Sequence, residues 1–366
     1  MASEYGECFV VLQPFAEGGG AIYGRNSYAA RNEVTEVLYF PATEDSAPRK
    51  CSGLEVEGAP ARAVILSGPA NANGAADSGA NDKGVAVGLC FTDNEAPSGL
   101  LGIDLVRLGL ERGGTACEAV EAIGALVEKY GTEGGSQAPK ASFVICDPQE
   151  AWFVSVVGNL WAAEQISEGF RASPRGLNVS TKIDKCSSDL QEKAQSLGVW
   201  DGSGSFDFAA SFSASGSTEA SFPLNSPSAE GAFSLTHMFQ LMRAEELHQE
   251  AVVSSHVSTL SASGVSCHWF TATPNVRESV FKPFVFTASA RISPLTVLDA
   301  SKSDQTLLFK YHRGRNWAAV GNLLASLEET CVAEVKDVLA NIQDPENNEL
   351  DDLMKDCVEA EVKFYR

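Results

Sequence analysis

One nearly continuous apolar segment limits the folds open to this chain. Residues 84–91 read Gly-Val-Ala-Val-Gly-Leu-Cys-Phe. A strand with one face in water alternates apolar and polar residues, whereas an unbroken apolar strand is typical of a sheet that is covered on both faces. Such a strand needs packed layers above and below it. The segment therefore predicts a layered architecture with a large core.

The rest of the chain alternates between strand patterns and helix patterns. Strands are predicted at residues 8–13, 21–26, 36–40, 61–66, 84–91, 142–146, 152–157, 161–166, 177–183, 267–270 and 280–286. Helices are predicted at residues 103–110, 115–131, 235–248 and 317–342, and a last helix is predicted to begin at Pro345. This order of strands, helices, strands and helices predicts an α+β fold with one composite core.

The chain reads as a single domain with one insert. The Ser-, Gly- and Ala-rich stretch 200–229 is interpreted as a surface insert, because strand patterns resume after it. The C-terminal part, residues 315–366, is predicted to be helical. Its apolar stripes are expected to be core contacts or a surface for a homo-oligomer.

Charge and composition exclude several classes of partner. The chain has 366 residues and a net charge of −21, which opposes binding to nucleic acid or to an anionic membrane surface. No apolar run is long enough to form an integral membrane segment. The nine cysteines are dispersed and include no Cys-x-x-Cys pair, which favours a reduced, cytoplasmic protein. The five histidines show no metal-site spacing.

Cys8 is the first candidate for chemistry. It begins the first predicted strand, and a hairpin turn at residues 17–20 would return Arg25 to its side. A guanidinium there can stabilise a thiolate or bind a carboxylate. If residues 1–7 were removed, Cys8 would carry both a thiol and a free α-amine, the minimum for an N-terminal nucleophile. The alternatives are a buried structural Cys8 and an Arg25 that pairs with an acid such as Glu33.

Other polar residues have weaker claims. Asn81 lies in the turn 79–84, where it either supports the turn or donates a hydrogen bond to an oxyanion, and Asn94 follows the next strand. Cys267 and His268 are adjacent in a predicted strand, so their side chains point to opposite faces and cannot form a dyad. His268 is expected to make a core hydrogen bond.

Many segments of the chain resemble the secernin family, a cysteine-dependent dipeptidase group of the N-terminal nucleophile hydrolases. The block 101–113, Leu-Gly-Ile-Asp-Leu-Val-Arg-Leu-Gly-Leu-Glu-Arg-Gly, is the most specific of them. The resemblance extends almost from end to end through residues 8–10, 23–27, 36–40, 79–85, 101–113, 150–152, 161–164, 180–184, 268–274, 281–284 and 356–364.

The resemblance implies a four-layer αββα sandwich in which removal of a leader, residues 1–7, frees Cys8 as the nucleophile of a domain spanning residues 8–366. It implies a cytoplasmic thiol peptidase that hydrolyses amide bonds of small peptides without a metal or an organic cofactor. In the wider superfamily an arginine is followed three residues later by an aspartate; Arg25 matches the first, and Tyr28 stands at the second. The candidate substrate-binding or oxyanion residues are Arg25, Asn26, Asn81, Asn94, Asn178 and Ser180.

Two other functions remain open from the sequence. Secernins are associated with exocytosis, so the fold is compatible with a catalytically reduced regulator or binding scaffold. Related hydrolases cleave acyl amides, which is compatible with an amidase. The state of residues 1–7 discriminates best, because the free-amine mechanism requires their removal.

Overall fold

The structure is a computed structural model that describes residues 4–51, 53–70, 72–93, 99–132, 138–173, 176–213, 227, 229–248, 251–341 and 350–366, with the backbone only at residues 4 and 5. Its strands are β1 (Glu4–Val11), β2 (Ala21–Tyr28), β3 (Thr35–Phe40), β4 (Arg49–Lys50), β5 (Glu55–Val56), β6 (Val64–Pro69), β7 (Ser78–Asn81), β8 (Ala86–Thr92), β9 (Lys140–Cys146), β10 (Ala151–Val157), β11 (Leu160–Ile166), β12 (Phe170–Ala172), β13 (Lys185–Cys186), β14 (Val252–Leu260), β15 (Cys267–Phe270) and β16 (Lys282–Phe284). Its α-helices are α1 (Gly102–Arg112), α2 (Ala116–Tyr130), α3 (Leu190–Ser196), α4 (Phe208–Phe212), α5 (Leu235–Met242), α6 (Leu307–Gly314), α7 (Trp317–Asn341) and α8 (Leu353–Tyr365).

The long strands form two antiparallel sheets. The first has the order β1, β2, β14, β15 and β16, and the second has the order β3, β6, β7, β8, β9, β10, β11 and β13. The sheets are connected where the beginning of β1 pairs with the end of β8, with Tyr5 opposite Phe91. The other half of β8 pairs with β7. The start of β1 therefore lies at the junction between the two sheets.

Three apolar cores separate four layers of secondary structure. In β1, Cys8 and Val10 belong to the core between the sheets, whereas Phe9 and Val11 face the core that contains α5. The third core lies between the second sheet and the helices α1 and α2. The layers are thus α1 and α2, the second sheet, the first sheet, and α5 with α7. This arrangement is the αββα sandwich that the resemblance implies.

The segment 84–91 is covered on both faces, as its composition predicts. Val87 and Leu89 contact the core under α1 and α2, and Ala86 and Cys90 contact the core between the sheets. The strand alternates between two apolar environments, so every position is apolar. The face of this strand that contains Ala86 and Cys90 is directed at the same core as Cys8.

The structure differs from the sequence predictions at several places. Residues 177–183 form no strand, because Ser155 Oγ, rather than a neighbouring strand, binds the backbone N–H of Asn178 at 2.9 Å. Strand β14 was missed, since polar residues occupy much of it. The expected surface insert is buried in part, because Phe206, Phe208 and Phe212 belong to the core between the sheets. The predicted start of the last helix at Pro345 lies outside the described residues.

Candidate functional site

Cys8 and Arg25 are direct partners in the hairpin of β1 and β2. Their Cα atoms are opposite each other in the antiparallel register. The predicted pairing is therefore confirmed. Both side chains are almost completely buried, at 0% exposure for Cys8 and 3% for Arg25. A thiol and a guanidinium thus share the polar part of the junction between the sheets.

Asp77 is the carboxylate partner of Arg25. The guanidinium Nη1 lies 3.2 Å from Asp77 Oδ1, and Nε donates to the carbonyl oxygen of Leu89 at 2.8 Å. Ser27 Oγ accepts a hydrogen bond from Arg25 Nη1 and donates one to the Asp77 carboxylate. Arg25 thus pairs with an acid, as the alternative prediction has it, but the acid is Asp77 and not Glu33. A carboxylate therefore lies beside Arg25 although Tyr28 stands where the wider superfamily has an aspartate.

The surroundings of Cys8 favour its thiolate. Burial raises the pKa of the Cys8 thiol, because the thiolate loses its hydration, and the negative charge of Asp77 also raises it. A hydrogen bond from Cys90, the positive charge of Arg25 and a hydrogen bond from Tyr23 act in the other direction. The net result is a pKa below the ordinary value of 9.0. This is the environment that makes a cysteine nucleophilic.

Cys90, the neighbouring thiol, has the opposite property. Burial and the hydrogen bond with Cys8 raise the pKa of Cys90 well above its ordinary value. Cys90 therefore stays protonated and can donate its S–H hydrogen to the Cys8 thiolate. Of the two thiols, Cys8 is the one that loses its proton more readily.

A glycine in β8 makes room for the thiol. A Cβ atom at Gly88 would lie 2.9 Å from Cys8 Sγ and 2.0 Å from Tyr23 Oη. Both distances are too short for non-bonded atoms, and the neighbours are buried. Any side chain at this position would displace Cys8 or Tyr23, so Gly88 belongs to the site for steric reasons.

A chain of buried hydrogen bonds leads away from the thiol. Cys8 Sγ lies 3.7 Å from Tyr23 Oη, which lies 3.4 Å from Ser78 Oγ. Ser78 Oγ lies 2.7 Å from His256 Nδ1 in β14. Burial is the main cause that lowers the pKa of His256 well below its ordinary value, so this imidazole is neutral. The chain orients Tyr23 towards Cys8 without adding a charge.

The same chain ends at His268. Ser258 Oγ lies 2.8 Å from His256 Nε2 and 2.8 Å from His268 Nδ1. His268 is fully buried, and burial lowers its pKa to about 3. Its predicted core hydrogen bond is confirmed. Cys267 lies in the core on the other face of the sheet, so the two residues form no dyad.

Residues 4–7 close the site. They extend β1, with Gly6 opposite Ser27 and Glu7 opposite Asn26. A Cβ atom at Gly6 would lie 2.5 Å from Arg25 Nη2, so the backbone of residue 6 covers the guanidinium. The cavity beside Arg25 has a volume of about 10 Å³, which is the space of one water molecule. A peptide cannot reach Cys8 while these residues are in place.

The structure gives Asn81 and Asn26 supporting contacts. Asn81 Nδ2 donates to the carbonyl oxygens of Leu110 and Gly113 at 2.9 and 2.6 Å, so both of its hydrogens connect the turn to the end of α1. This use contradicts the prediction of an oxyanion donor. Asn26 Nδ2 donates to the carbonyl oxygen of Met242 at 2.9 Å, on the face of β2 opposite Arg25. The alternation of a strand separates it from the thiol.

The other predicted residues lie on the segment after β12. Asn178 is buried and donates through Nδ2 to the carbonyl oxygen of Phe143 at 2.9 Å. The backbone oxygen of Ser180 accepts a hydrogen bond from Phe208 at 3.1 Å. This segment starts beside the nucleophile, since the N–H of Ser173 donates to the carbonyl oxygen of Cys8. Asn94 lies outside the described residues.

Sequence reasoning missed three contributors: Asp77, Ser78 and His256. Asp77 and Ser78 directly precede the motif 79–85, so the motif located the right segment but not the residues that reach Arg25 and Tyr23. His256 lies on β14, which was not predicted as a strand. Its alternation with Ser254 and Ser258 was the available signal.

Metal-binding side chains and membrane-spanning helices were also sought among the described residues. Among the described residues, no group of three or more His, Cys, Asp or Glu side chains is arranged to hold a metal ion. None of the described helices is long and apolar enough to cross a membrane.

Comparison with known proteins shows similarity to a solved structure and to a family model. A solved structure, that of penicillin V acylase from Agrobacterium tumefaciens, is similar with a TM-score of 0.39 and 14% sequence identity, covering 76% of this chain and 84% of that chain. The family model of Peptidase family C69 matches residues 74–238, a segment that includes Asp77, Ser78 and the block 101–113. Over residues 74–238 the chain is thus similar to Peptidase family C69, in agreement with the resemblance stated from the sequence, and this segment does not include Cys8 or Arg25.

Proposed function

We propose that this protein is a cysteine-type dipeptidase in which Cys8, after removal of residues 1–7, is the N-terminal nucleophile. The observation that carries the proposal is the buried Cys8 thiol, whose pKa is lowered beside the ion pair of Arg25 and Asp77. The match to Peptidase family C69 supports small peptides as the substrate class. Removal of the leader would supply the free α-amine and would open the space that residues 4–7 occupy.

The reaction follows from these groups. The Cys8 thiolate attacks the carbonyl carbon of the peptide, and the carbonyl electron pair moves to the oxygen. The α-amine of Cys8, which has taken up the thiol proton, then gives a proton to the leaving nitrogen as the C–N bond breaks. Water attacks the resulting thioester, and the acid product leaves with regeneration of the thiol. Asn178 is the remaining candidate on the described chain for an amide donor to the oxyanion.

Arg25 has two parts in this mechanism. Its Nη1 and Nε are held by Asp77, Ser27 and Leu89, so its positive charge stays beside the thiolate. Its Nη2 points towards the position of residue 6 and would face the space that the leader vacates. A guanidinium in that place can bind a polar group of the substrate.

The state of the N-terminus tests the proposal directly. We expect the intact mass of purified, active protein to correspond to a chain that begins at Cys8, and we expect this protein to hydrolyse dipeptides. N-terminal sequencing checks the new first residue. Active protein that retains residues 1–7 would contradict the free-amine mechanism, and processed protein that hydrolyses no dipeptide would contradict the proposed activity.

The charges around Cys8 predict opposite shifts of the pH profile. Arg25 lowers the pKa of Cys8 and Asp77 raises it. If hydrolysis needs the thiolate, kcat/KM rises with pH through the pKa of Cys8. The rising limb should therefore move to higher pH in Arg25→Gln and to lower pH in Asp77→Asn, measured on processed protein. A profile that does not move in either variant would show that Cys8 is not the titrating nucleophile.

A further inference from the structure

Tyr28 binds the last residue before Cys8. The carboxylate oxygen Oε2 of Glu7 accepts a hydrogen bond from Tyr28 Oη at 2.8 Å, and Tyr28 Oη also lies 2.8 Å from the carbonyl oxygen of Leu247. Tyr28 is buried, with 4% exposure. The single phenol hydrogen has two acceptors, the Glu7 carboxylate and the Leu247 carbonyl oxygen, so the hydroxyl lies where it can donate to an acid. This contact gives a use to the tyrosine at residue 28, where the wider superfamily has an aspartate.

A cavity rich in arginine lies next to this contact. Its volume is about 380 Å³, within the size range of small-molecule sites. Val253 lines both this cavity and the small pocket that contains Arg25 and Tyr28. The charged residues that line it, histidines apart, are Arg31, Arg277, Arg313, Arg315 and Glu278. Four arginines with one carboxylate make a local positive charge in a chain whose net charge is −21.

His248 connects the arginine-rich cavity with Glu7. It lines the cavity, and its Nε2 lies 2.9 Å from the carbonyl oxygen of Met242. Burial is the largest cause that lowers its pKa; the charge of Arg277 lowers it further, and the charge of Glu7 raises it. Both charges therefore act on the same imidazole. His248 therefore lies between the Glu7 carboxylate and the arginine-rich cavity that it lines.

The position of Glu7 defines the acyl side of the reaction. The main-chain carbonyl carbon of Glu7 is bonded to the nitrogen of Cys8, so this carbon is within reach of Cys8 Sγ. Acyl transfer from this nitrogen to the sulfur forms a C–S bond, breaks the C–N bond and leaves the thiol proton on the nitrogen. The product is a glutamyl thioester on Cys8. A peptide substrate cleaved after glutamate would give the same glutamyl group on the same sulfur.

We propose that the acyl side of the site selects peptides with an acidic side chain, glutamate in particular, immediately before the scissile bond. The substrate carboxylate would take the place of the Glu7 carboxylate at Tyr28 Oη, in the field of Arg277 and its neighbours. This inference rests on the proposed function, since it names the substrate class of the same site. Charge-assisted hydrogen bonds of this type contribute more than neutral ones.

A matched pair of dipeptides tests the inference. Glu-Ala and Gln-Ala differ only in the charge of the first side chain, and Ala-Ala reports basal hydrolysis. We expect kcat/KM for Glu-Ala to exceed that for Gln-Ala by about tenfold or more, the ratio that about 1.4 kcal/mol provides. The ratio should fall with added salt, because the arginine-rich cavity is open to solvent.

Two variants locate the preference. Tyr28→Phe removes the hydroxyl and Arg277→Gln removes one charge, so each should reduce the ratio of Glu-Ala to Gln-Ala hydrolysis. Lys302→Gln is the matched control, because Lys302 carries the same charge but pairs with Asp299 on the exposed surface. Intact mass shows that each protein compared has lost residues 1–7.

The outcomes separate the inference from the proposed function. Hydrolysis of Gln-Ala as fast as Glu-Ala by processed enzyme would overturn the acidic preference alone. Hydrolysis of none of the three peptides by processed protein would overturn the proposed function and, with it, the inference. If the preference for Glu-Ala were unchanged in both Tyr28→Phe and Arg277→Gln, the substrate carboxylate would not bind at Tyr28 and the arginine-rich cavity.

Discussion

Replacement of Cys8 by alanine should abolish dipeptide hydrolysis, with a loss of kcat/KM on the order of 10⁴-fold to 10⁶-fold. Alanine keeps the small apolar volume that the core between the sheets needs, but it has no sulfur to attack a carbonyl. The variant should therefore fold and remain inactive. Thermal unfolding checks the fold, and dipeptide hydrolysis at several enzyme concentrations checks the activity.

Cys146→Ala is the control for this experiment. Cys146 is as buried as Cys8, at 0% exposure, and belongs to the same core. Burial raises the pKa of Cys146 well above its ordinary value, so it is no nucleophile. Its replacement should cost some stability and little activity. If Cys8→Ala hydrolyses dipeptides at the rate of Cys146→Ala, Cys8 is not the nucleophile.

Cys90 needs its own comparison because it contacts Cys8. Its S–H group helps to lower the pKa of Cys8, so Cys90→Ala should shift the rising limb of the pH profile to higher pH while activity at high pH persists. If Cys90→Ala were inactive at every pH while Cys8→Ala remained active, the nucleophile would be Cys90 in β8 and not Cys8 in β1.

The part of the site that sequence predicts is the part that depends on local pairing. Cys8 and Arg25 lie on consecutive strands that pair as a hairpin, so the patterns of the two strands are enough to place these residues side by side. Asp77 directly precedes β7, and His256 lies in β14. Their positions beside Cys8 depend on the order of strands in the two sheets. No pattern within either segment encodes that order.

The fold was more predictable than the site for a related reason. Apolar alternation reports which face of a strand is buried, and this is enough to define layers. It does not report which polar groups meet between them. Strand β14 shows the limit: His256 and Ser258 face the core between the sheets and are satisfied by each other, so a polar pattern that suggests a surface loop belongs to a central strand.

Asn81 shows the corresponding limit for single side chains. Its residue type suits both a turn and an oxyanion site, and the sequence alone leaves both uses open. In the structure its amide connects the turn to Leu110 and Gly113, while its oxygen accepts from the backbone N–H groups of Lys83 and Val85. With four hydrogen bonds to the backbone, the Asn81 side chain stabilises the turn. Residue type and spacing do not distinguish these cases, whereas hydrogen-bond partners do.

A buried ion pair gives the largest expected change in stability. Lys282 in β16 and Glu361 in α8 are both at 0% exposure, with 2.9 Å between Nζ and Oε2. Lys282 Nζ also donates to the carbonyl oxygens of Thr271 at 2.6 Å and Val280 at 2.8 Å, so the ammonium has two hydrogen bonds beside the ion pair. Glu361 Oε1 accepts a hydrogen bond from Tyr365 at 2.5 Å. The pair thereby fastens the last helix to the edge strand of the first sheet.

Glu361→Ala should lower the free energy of unfolding by about 3–5 kcal/mol, because it leaves the ammonium of Lys282 buried and unpaired. The double variant Lys282→Met with Glu361→Leu should recover most of this loss, since it removes both charges and fills the space. Denaturant unfolding monitored by fluorescence measures all three proteins. Asp299→Ala, which breaks the exposed pair with Lys302, is the control and should change stability little. Equal losses in Glu361→Ala and the double variant would show that packing of α8, and not the unpaired charge, determines the cost.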